Sequence, residues 1–248
     1  MSASEPISVH VRDLHKAFRN NEALRGISLD FEPGLMHGII GPEGAGKTTL
    51  LRIILGLMIP ARGRVLYKEG DRSVPFETLR PHIAYMPQAQ NLYADLSIEE
   101  HLAFFRDLYG IEPKAYAEKR AELLEASRLV PFVDRPAGQL SGGMYKKLGL
   151  MCALLRSPRV LILDEPTTGV DPISRRELWE ILYHLLDQGI LVLVTTAYLD
   201  EAERCSKVHL IESGSVIASG EPRALLQEQQ ARSFDELFIR RASESSSE

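Results

Sequence analysis

Cysteine is nearly missing from this sequence: Cys152 and Cys205 are the two it has, and neither sits in a metal-ligand spacing. That excludes a disulfide framework and a cysteine metal centre, and leaves two reduced thiols. Long apolar runs are missing as well. Ile53–Ile59 and Ile190–Val194 fall far below the ~18 residues that span a bilayer, so membrane contact is expected to come through a partner. The first residues, Met1–Pro6, are polar and lack the apolar stretch of a signal peptide. Nor is there an excess of basic charge. With 29 Lys+Arg against 34 Asp+Glu the net charge is −5, which offers no footprint for a phosphodiester backbone, and no nucleic acid is expected as partner. What is present is ordinary: 44% apolar and 25% charged residues in 248, enough for one generous domain or one domain with an insert.

The periodicity changes along the chain. Ile27, Leu29 and Phe31 alternate with Ser28, Asp30 and Glu32, which predicts a half-buried strand. Leu35–Ile40 reads as a buried strand running into a glycine-rich turn at Gly41–Gly46. Beyond it Leu50, Leu51, Ile54, Leu55 and Met58 share a helical face that Pro60 ends. Val65–Tyr67 and Ile83–Met86 read as short strands. From about Ser97 to Arg156 the period is helical, with a helix over Ala117–Arg128 and an apolar stripe of Leu148, Met151, Cys152 and Leu155. Strand signals return at Val160–Leu163, Ile190–Thr195, Val208–Ile211 and Val216–Ala218. Between the first two, Asp171 and Pro172 mark the start of a helix lined by Leu178, Ile181, Leu182 and Leu185. Ser233 and Glu236 suggest a capping box for a last helix carrying Phe234, Leu237 and Phe238. Ala242–Glu248, serine and glutamate after its first residue, is expected to be disordered. The order is α/β, helical insert, α/β.

Gly41-Pro42-Glu43-Gly44-Ala45-Gly46-Lys47-Thr48 matches G-x-x-x-x-G-K-[ST]. Its glycines let backbone N–H groups wrap a phosphate chain, and the following helix turns its positive end toward it. Lys47 is placed to reach the β- and γ-phosphates of a nucleotide, Thr48 to offer its hydroxyl to Mg²⁺, and Thr49 lies beside them. The strand Val160–Leu163 ends in Asp164 and Glu165. Neighbouring strand residues point to opposite faces, so the two acids are expected to differ in job. Asp164 would hold Mg²⁺ through water, and Glu165 would polarise the water that attacks the γ-phosphate. Leu140-Ser141-Gly142-Gly143-Met144 then opens the helix with the 148–155 stripe. Ser141 is a good N-cap, and two glycines leave N–H groups open to an anion.

The order Gly41–Thr48, Gln88, Leu140–Met144, Leu163–Pro166, Asp171 resembles the nucleotide-binding domain of the ATP-binding cassette (ABC) family over nearly the whole chain. The resemblance implies a P-loop NTPase fold of RecA-like core sheet, antiparallel β subdomain and inserted α-helical subdomain. Its bounds would be core 7–88 and 157–230, helical insert about 89–156, and C-terminal helix and tail 231–248. It also implies ATP and Mg²⁺ as cofactors and a second such domain packed head to tail, so that Ser141 and Gly143 serve the partner's nucleotide; Gly142 and Asp171 join them as nucleotide-binding candidates. Gln88 matches the glutamine that senses Mg²⁺ and links core to insert, joining Glu165 as a catalytic candidate. Phe18 stands where the family stacks an aromatic on adenine, though it could equally be core. Asn91–Ser97, Thr167–Pro172, Asp171–Trp179 and Ala197–Glu203 resemble the ATPase subunits of ABC-2 type exporters, nearest the first half of tandem multidrug-exporter ATPases of the YbhF type. A cytoplasmic subunit on the inner face of the plasma membrane, docked on an ABC-2 type permease, is then expected.

Two departures qualify this. Ala197 stands where the family has a histidine that bonds the γ-phosphate, and losing such a donor commonly costs about 10²–10³ in rate. Glu43 stands where Asn is usual and is unfavourable beside phosphates unless it points away. Two readings therefore stay open beside an exporter ATPase: a regulatory half with little turnover, and a non-transport cassette ATPase acting on ribosomes or DNA.

Overall fold

The computed structural model describes residues 5–19, 21–89 and 92–245, with side chains given to Arg240. The polar start at Met1–Ser4, Asn91 of the Asn91–Ser97 string, and Ser246–Glu248 of the tail lie outside the described residues.

Strands β1 (Ile7–Phe18) and β2 (Asn21–Phe31) pair antiparallel. Ile27, Leu29 and Phe31 are buried and Ser28 and Asp30 exposed, as the alternation predicts. Next come β3 (Met36–Ile40), helix α1 (Lys47–Ile54), β4 (Arg62–Glu69), β5 (Arg72–Val74), the single turn α2 (Phe76–Leu79) and β6 (Ile83–Met86). Helix α1 stops earlier than the apolar stripe through Met58 suggests. Gly56 takes φ 63°, and its N–H and that of Leu57 bond the carbonyls of Ile53 and Arg52, a left-handed cap that closes the helix.

Three helices follow with no strand among the described residues: α3 (Ile98–Tyr109), α4 (Pro113–Ser127) and α5 (Gly142–Leu154). Ser97 and Glu100 form a reciprocal capping box at the start of α3. Then β7 (Val160–Asp164), α6 (Pro172–Asp187), β8 (Leu191–Thr196), β9 (Lys207–Glu212), β10 (Ser215–Gly220), α7 (Pro222–Glu228) and α8 (Phe234–Ser245) complete the chain. Asp171 caps α6, accepting from the N–H groups of Ile173 (3.1 Å) and Ser174 (3.0 Å). Ser233 caps α8 through the Glu236 N–H, but the Glu236 carboxylate reaches the Arg232 N–H rather than that of Ser233. Helix α8 runs to Ser245, past the expected onset of disorder at Ala242. Its first turns are seated by buried Phe234 and Leu237, and extending a nucleated helix is cheap.

The strands make two sheets. One is antiparallel, ordered β2-β1-β4-β5, and the other is ordered β10-β9-β3-β8-β7-β6, parallel except for β10 against β9. This mixed architecture is the P-loop NTPase fold expected from the sequence. Period-two alternation builds its two cores. Leu161, Leu163, Val192 and Val194 face a core shared with α5 and α6, while Val160, Ile162, Leu191 and Leu193 face one shared with the antiparallel sheet and α1. Burying each such side chain contributes roughly 1.5–3 kcal/mol. In register, Ile40 lies beside Thr196, Asp164 beside Thr195, and Met86 beside Leu163. The residues after β3, β6, β7 and β8 therefore gather at one carboxyl edge, where open α/β sheets bind ligands.

Candidate nucleotide site

The loop after β3 is built on close backbone approaches. Gly41 donates its N–H to the Thr196 carbonyl (3.3 Å), and a Cβ there would lie 2.0 Å from the Ile211 carbonyl oxygen. Gly46 sits at φ 103° with the Ala23 carbonyl 2.4 Å from where its Cβ would be, so only glycine fits. As N-cap of α1, Gly46 supplies no side-chain cap. The first amides of α1 are thus available to an external acceptor.

A cavity of about 430 Å³ opens over this helix start. Its walls are Glu43 through Thr49, with Asn21, Gln88 and Glu165. Gly41 and Pro42 form the loop's entry, and their carbonyls accept from the buried Lys47 Nζ at 2.8 and 3.0 Å. Glu43 is exposed yet lines the cavity, so its charge is at the site's rim.

The two acids after β7 meet different partners. Asp164, 1% exposed, accepts from Thr195 Oγ1 (2.7 Å), Thr48 Oγ1 (3.1 Å) and the Tyr85 hydroxyl (3.4 Å). Burial, helped by the Asp164 charge, pushes the Tyr85 phenol up to about 12. Glu165 lies 3.4 Å from Lys47 Nζ and accepts from Gln88 Nε2 (2.8 Å) and Thr168 Oγ1 (3.3 Å). The expectation that alternation sends these acids to opposite faces needs correcting. β7 ends at Asp164, and Glu165 takes φ 48°, a left-handed turn that swings its carboxylate back toward the loop. What distinguishes the two acids is their partners, not their faces. The Gln88 carbonyl accepts from Lys146 Nζ (2.9 Å), and burial lowers the Lys146 pKa against the opposing pull of Glu165 and Asp164.

A second group stands apart. Ser141, N-cap of α5, accepts from the Met144 N–H (3.3 Å). Ser141 and Gly142 are exposed. Gly143 abuts the start of α6, where a Cβ would lie 2.2 Å from Ser174 and 3.2 Å from Asp171 Oδ2. The Ser174 N–H holds the Asp171 carboxyl below its ordinary range. None of Ser141, Gly142, Gly143 and Asp171 lines the cavity.

Phe18 is 45% exposed at the end of β1, which removes the core reading. Lys16 Nζ lies 5.5 Å from its ring, and its cross-strand partner Asn21 lines the cavity. Ala197 directly follows Thr196 and brings only a methyl group. Sequence reasoning missed Asn21, Tyr85, Thr195, Thr168 and Lys146. The one signal for them was position, since each lies within two residues of a motif or of a strand end.

Residues 24–168 match the family model described as ABC transporter. The chain is 43% identical over 228 residues to the "Probable multidrug ABC transporter ATP-binding protein YbhF" of Escherichia coli K12, covering 91% of this chain but 39% of that protein. It is 37% identical to the Nod factor export ATP-binding protein I of Cupriavidus metallidurans, covering 88% of this chain and 72% of the relative. Among solved structures, an ATP-binding subunit of an ABC transporter superposes with a TM-score of 0.81 at 31% identity, covering 94% of this chain and 98% of that one.

Proposed function

Because the chain belongs to the ABC transporter family of ATP-binding proteins, we propose that it binds and hydrolyses MgATP in the Lys47–Glu165 cavity to drive export through a separate permease. The observation that carries this reading is the convergence of an uncapped helix start, a buried lysine and the Glu165 carboxylate at one cavity, with Asp164 bonded to Thr48 behind its wall. The phosphates would lie along Gly41–Thr49, with Lys47 neutralising their charge and Phe18 at the adenine end.

The donor set fits Mg²⁺. Thr48 and Asp164 lie together and Gln88 stands nearby, while no cluster of three His, Cys, Asp or Glu exists among the described residues. That suits a hard ion held by few protein oxygens and by substrate phosphates. When bound, Mg²⁺ would neutralise charge on the phosphate oxygens. Glu165, its charge offset by Lys47, would accept a proton from the attacking water, with Gln88 and Thr168 holding its orientation.

The exposed Ser141 and Gly142, with Gly143 behind them and all three apart from the chain's own cavity, support a second ABC ATPase domain packed head to tail, with this group on the partner's nucleotide. We read the chain as one such domain, with 89–156 as its helical insert. The relatives' printed names, multidrug transport and Nod factor export, favour an exporter, and we take its permease to be of the ABC-2 type, holding this chain at the cytoplasmic face of the inner membrane. Among the described residues no helix is long and apolar enough to cross a membrane. Ala197 favours one refinement: the site turns over slowly, and a partner domain with the histidine is the faster half.

The test is the ATPase rate of the chain beside Ala197→His. The histidine variant is expected to be faster by about 10²–10³, and equal rates would remove the weakened-site claim. Copurification from membranes with a multi-span permease supports export, whereas recovery with ribosomes or DNA would overturn it.

A further inference from the structure

Glu201 is fully buried in the short 3-10 turn Leu199–Arg204 after β8, and the reaction described above makes no use of it. Its carboxylate takes hydrogen bonds from two other segments. Thr167 Oγ1 donates from the turn after Glu165 (3.0 Å). Arg175 Nε (2.7 Å) and Trp179 Nε1 (3.3 Å) donate from α6. Arg175 also forks onto both Asp200 oxygens at 3.1 Å and lies over the Tyr198 ring. One carboxylate thus ties together three pieces of backbone.

Each piece carries part of the site. The Thr167 turn carries Glu165, whose Oε2 accepts from Thr168. The start of α6 carries Asp171, and Ser174 presses on Gly143. The 3-10 turn continues from Thr196, whose carbonyl holds the Gly41 N–H and whose hydroxyl accepts from the Tyr198 N–H. A buried ion pair contributes little net stability compared with apolar packing, but an unpaired buried carboxylate is costly. The three segments therefore cannot shift independently without stranding Glu201.

We propose that the buried Glu201–Arg175 pair is a positioning element that keeps Glu165, in this chain's cavity, in register with the Asp171–Gly143 face offered to the neighbouring domain. The proposal rests on the ATPase reading above. It also explains how the segment after β8 keeps its place beside Gly41 with only a methyl group at position 197.

The experiment compares Thr167→Val, Arg175→Met, Arg175→Lys and Glu201→Gln in the wild-type and Ala197→His proteins, measuring kcat, KM for ATP and the urea midpoint. Small displacements of a catalytic group cost large factors in rate. Arg175→Met and Glu201→Gln should therefore lower kcat at least about tenfold with KM within about twofold. Thr167→Val, which leaves the ion pair intact but strips the buried Glu201 Oε2 of its hydrogen bond, should lower kcat as well as the midpoint, and Arg175→Lys should recover part of what methionine loses. A structural role alone would lower the midpoint while folded Thr167→Val and Arg175→Met turn over within about twofold of their parents, and that overturns the proposal. Should Arg175→Met fail to fold, Thr167→Val decides. If neither parent protein binds or hydrolyses MgATP, the ATPase reading falls instead.

Discussion

Two helix starts in this molecule carry glycines and face outward, and they are built differently. At α1 the N-cap is Gly46 in a left-handed conformation, with no side chain to satisfy the first amides, beneath a walled cavity with a buried lysine. At α5 the N-cap is Ser141, which satisfies the Met144 N–H itself, and neither Ser141 nor Gly142 belongs to that cavity. On the proposed reading, a nucleotide phosphate in the chain's own cavity would finish the first start. The second is already capped, is braced from behind by Ser174 and Asp171, and offers its face outward. On the same proposed reading, the difference separates a site a chain would complete by itself from a surface that would become a site only against another domain.

The largest effect that would break or confirm this contrast is on turnover. Glu165→Gln keeps the bonding shape beside Gln88 and Thr168 but removes the base, and kcat should fall about 10²–10³-fold with nucleotide affinity retained. Single-turnover assays beside equilibrium ATP binding read both, and a joint loss of affinity would place Glu165 in binding instead.

Acid should act away from both helix starts. His37 on β3 and His209 on β9 lie parallel with ring centroids 5.3 Å apart and Nδ1 and Nε2 3.1 Å apart, with the Glu32 N–H donating to one and Ser219 bonded to the other. Burial lowers His37 to about 4 against the raising pull of Glu32, and lowers His209 to about 3 with help from His37 and Lys207. Both are neutral when folded, so below the unfolded value near 6.5 the unfolded chain binds more protons. Stability is present above pH 6.5 and is lost as pH falls toward 4, by up to about 1.4 kcal/mol per pH unit for each ring. Urea midpoints at pH 7.5 and 5 check the sign, and His209→Gln should flatten the slope.

The smallest effect belongs to the brace. Asp171→Ala removes the α6 cap and should cost about 1 kcal/mol in urea unfolding, leaving the ATP affinity of the unpaired chain's cavity unchanged. A loss of affinity would mean that the two helix starts are not separate.

Much of this was legible in the sequence because it depends on local rules. The Gly41–Thr48 loop, the Asp171 cap and the alternation through Phe31 are each fixed by neighbours a few positions away. β1 was not read as a strand because its alternation slips at Asp13, which takes φ 50° within a register shift against β2. Thr195, Tyr85 and Glu201 were invisible for another reason. They act through partners 31, 79 and 34 positions away at the most, and single-chain periodicity carries no record of such pairs. The turn at Glu165 was missed because a left-handed non-glycine residue obeys tertiary packing rather than propensity.

Mixing two crippled chains tests the central contrast most directly. Lys47→Ala disables the cavity and keeps the Ser141 face, and Ser141→Arg does the reverse. In the Ala197→His background each variant alone should show no MgATP turnover, and an equimolar mixture should regain a measurable fraction of the parent rate. A silent mixture, or full turnover by Ser141→Arg alone, would contradict the account, because the second helix start would then serve no neighbouring nucleotide.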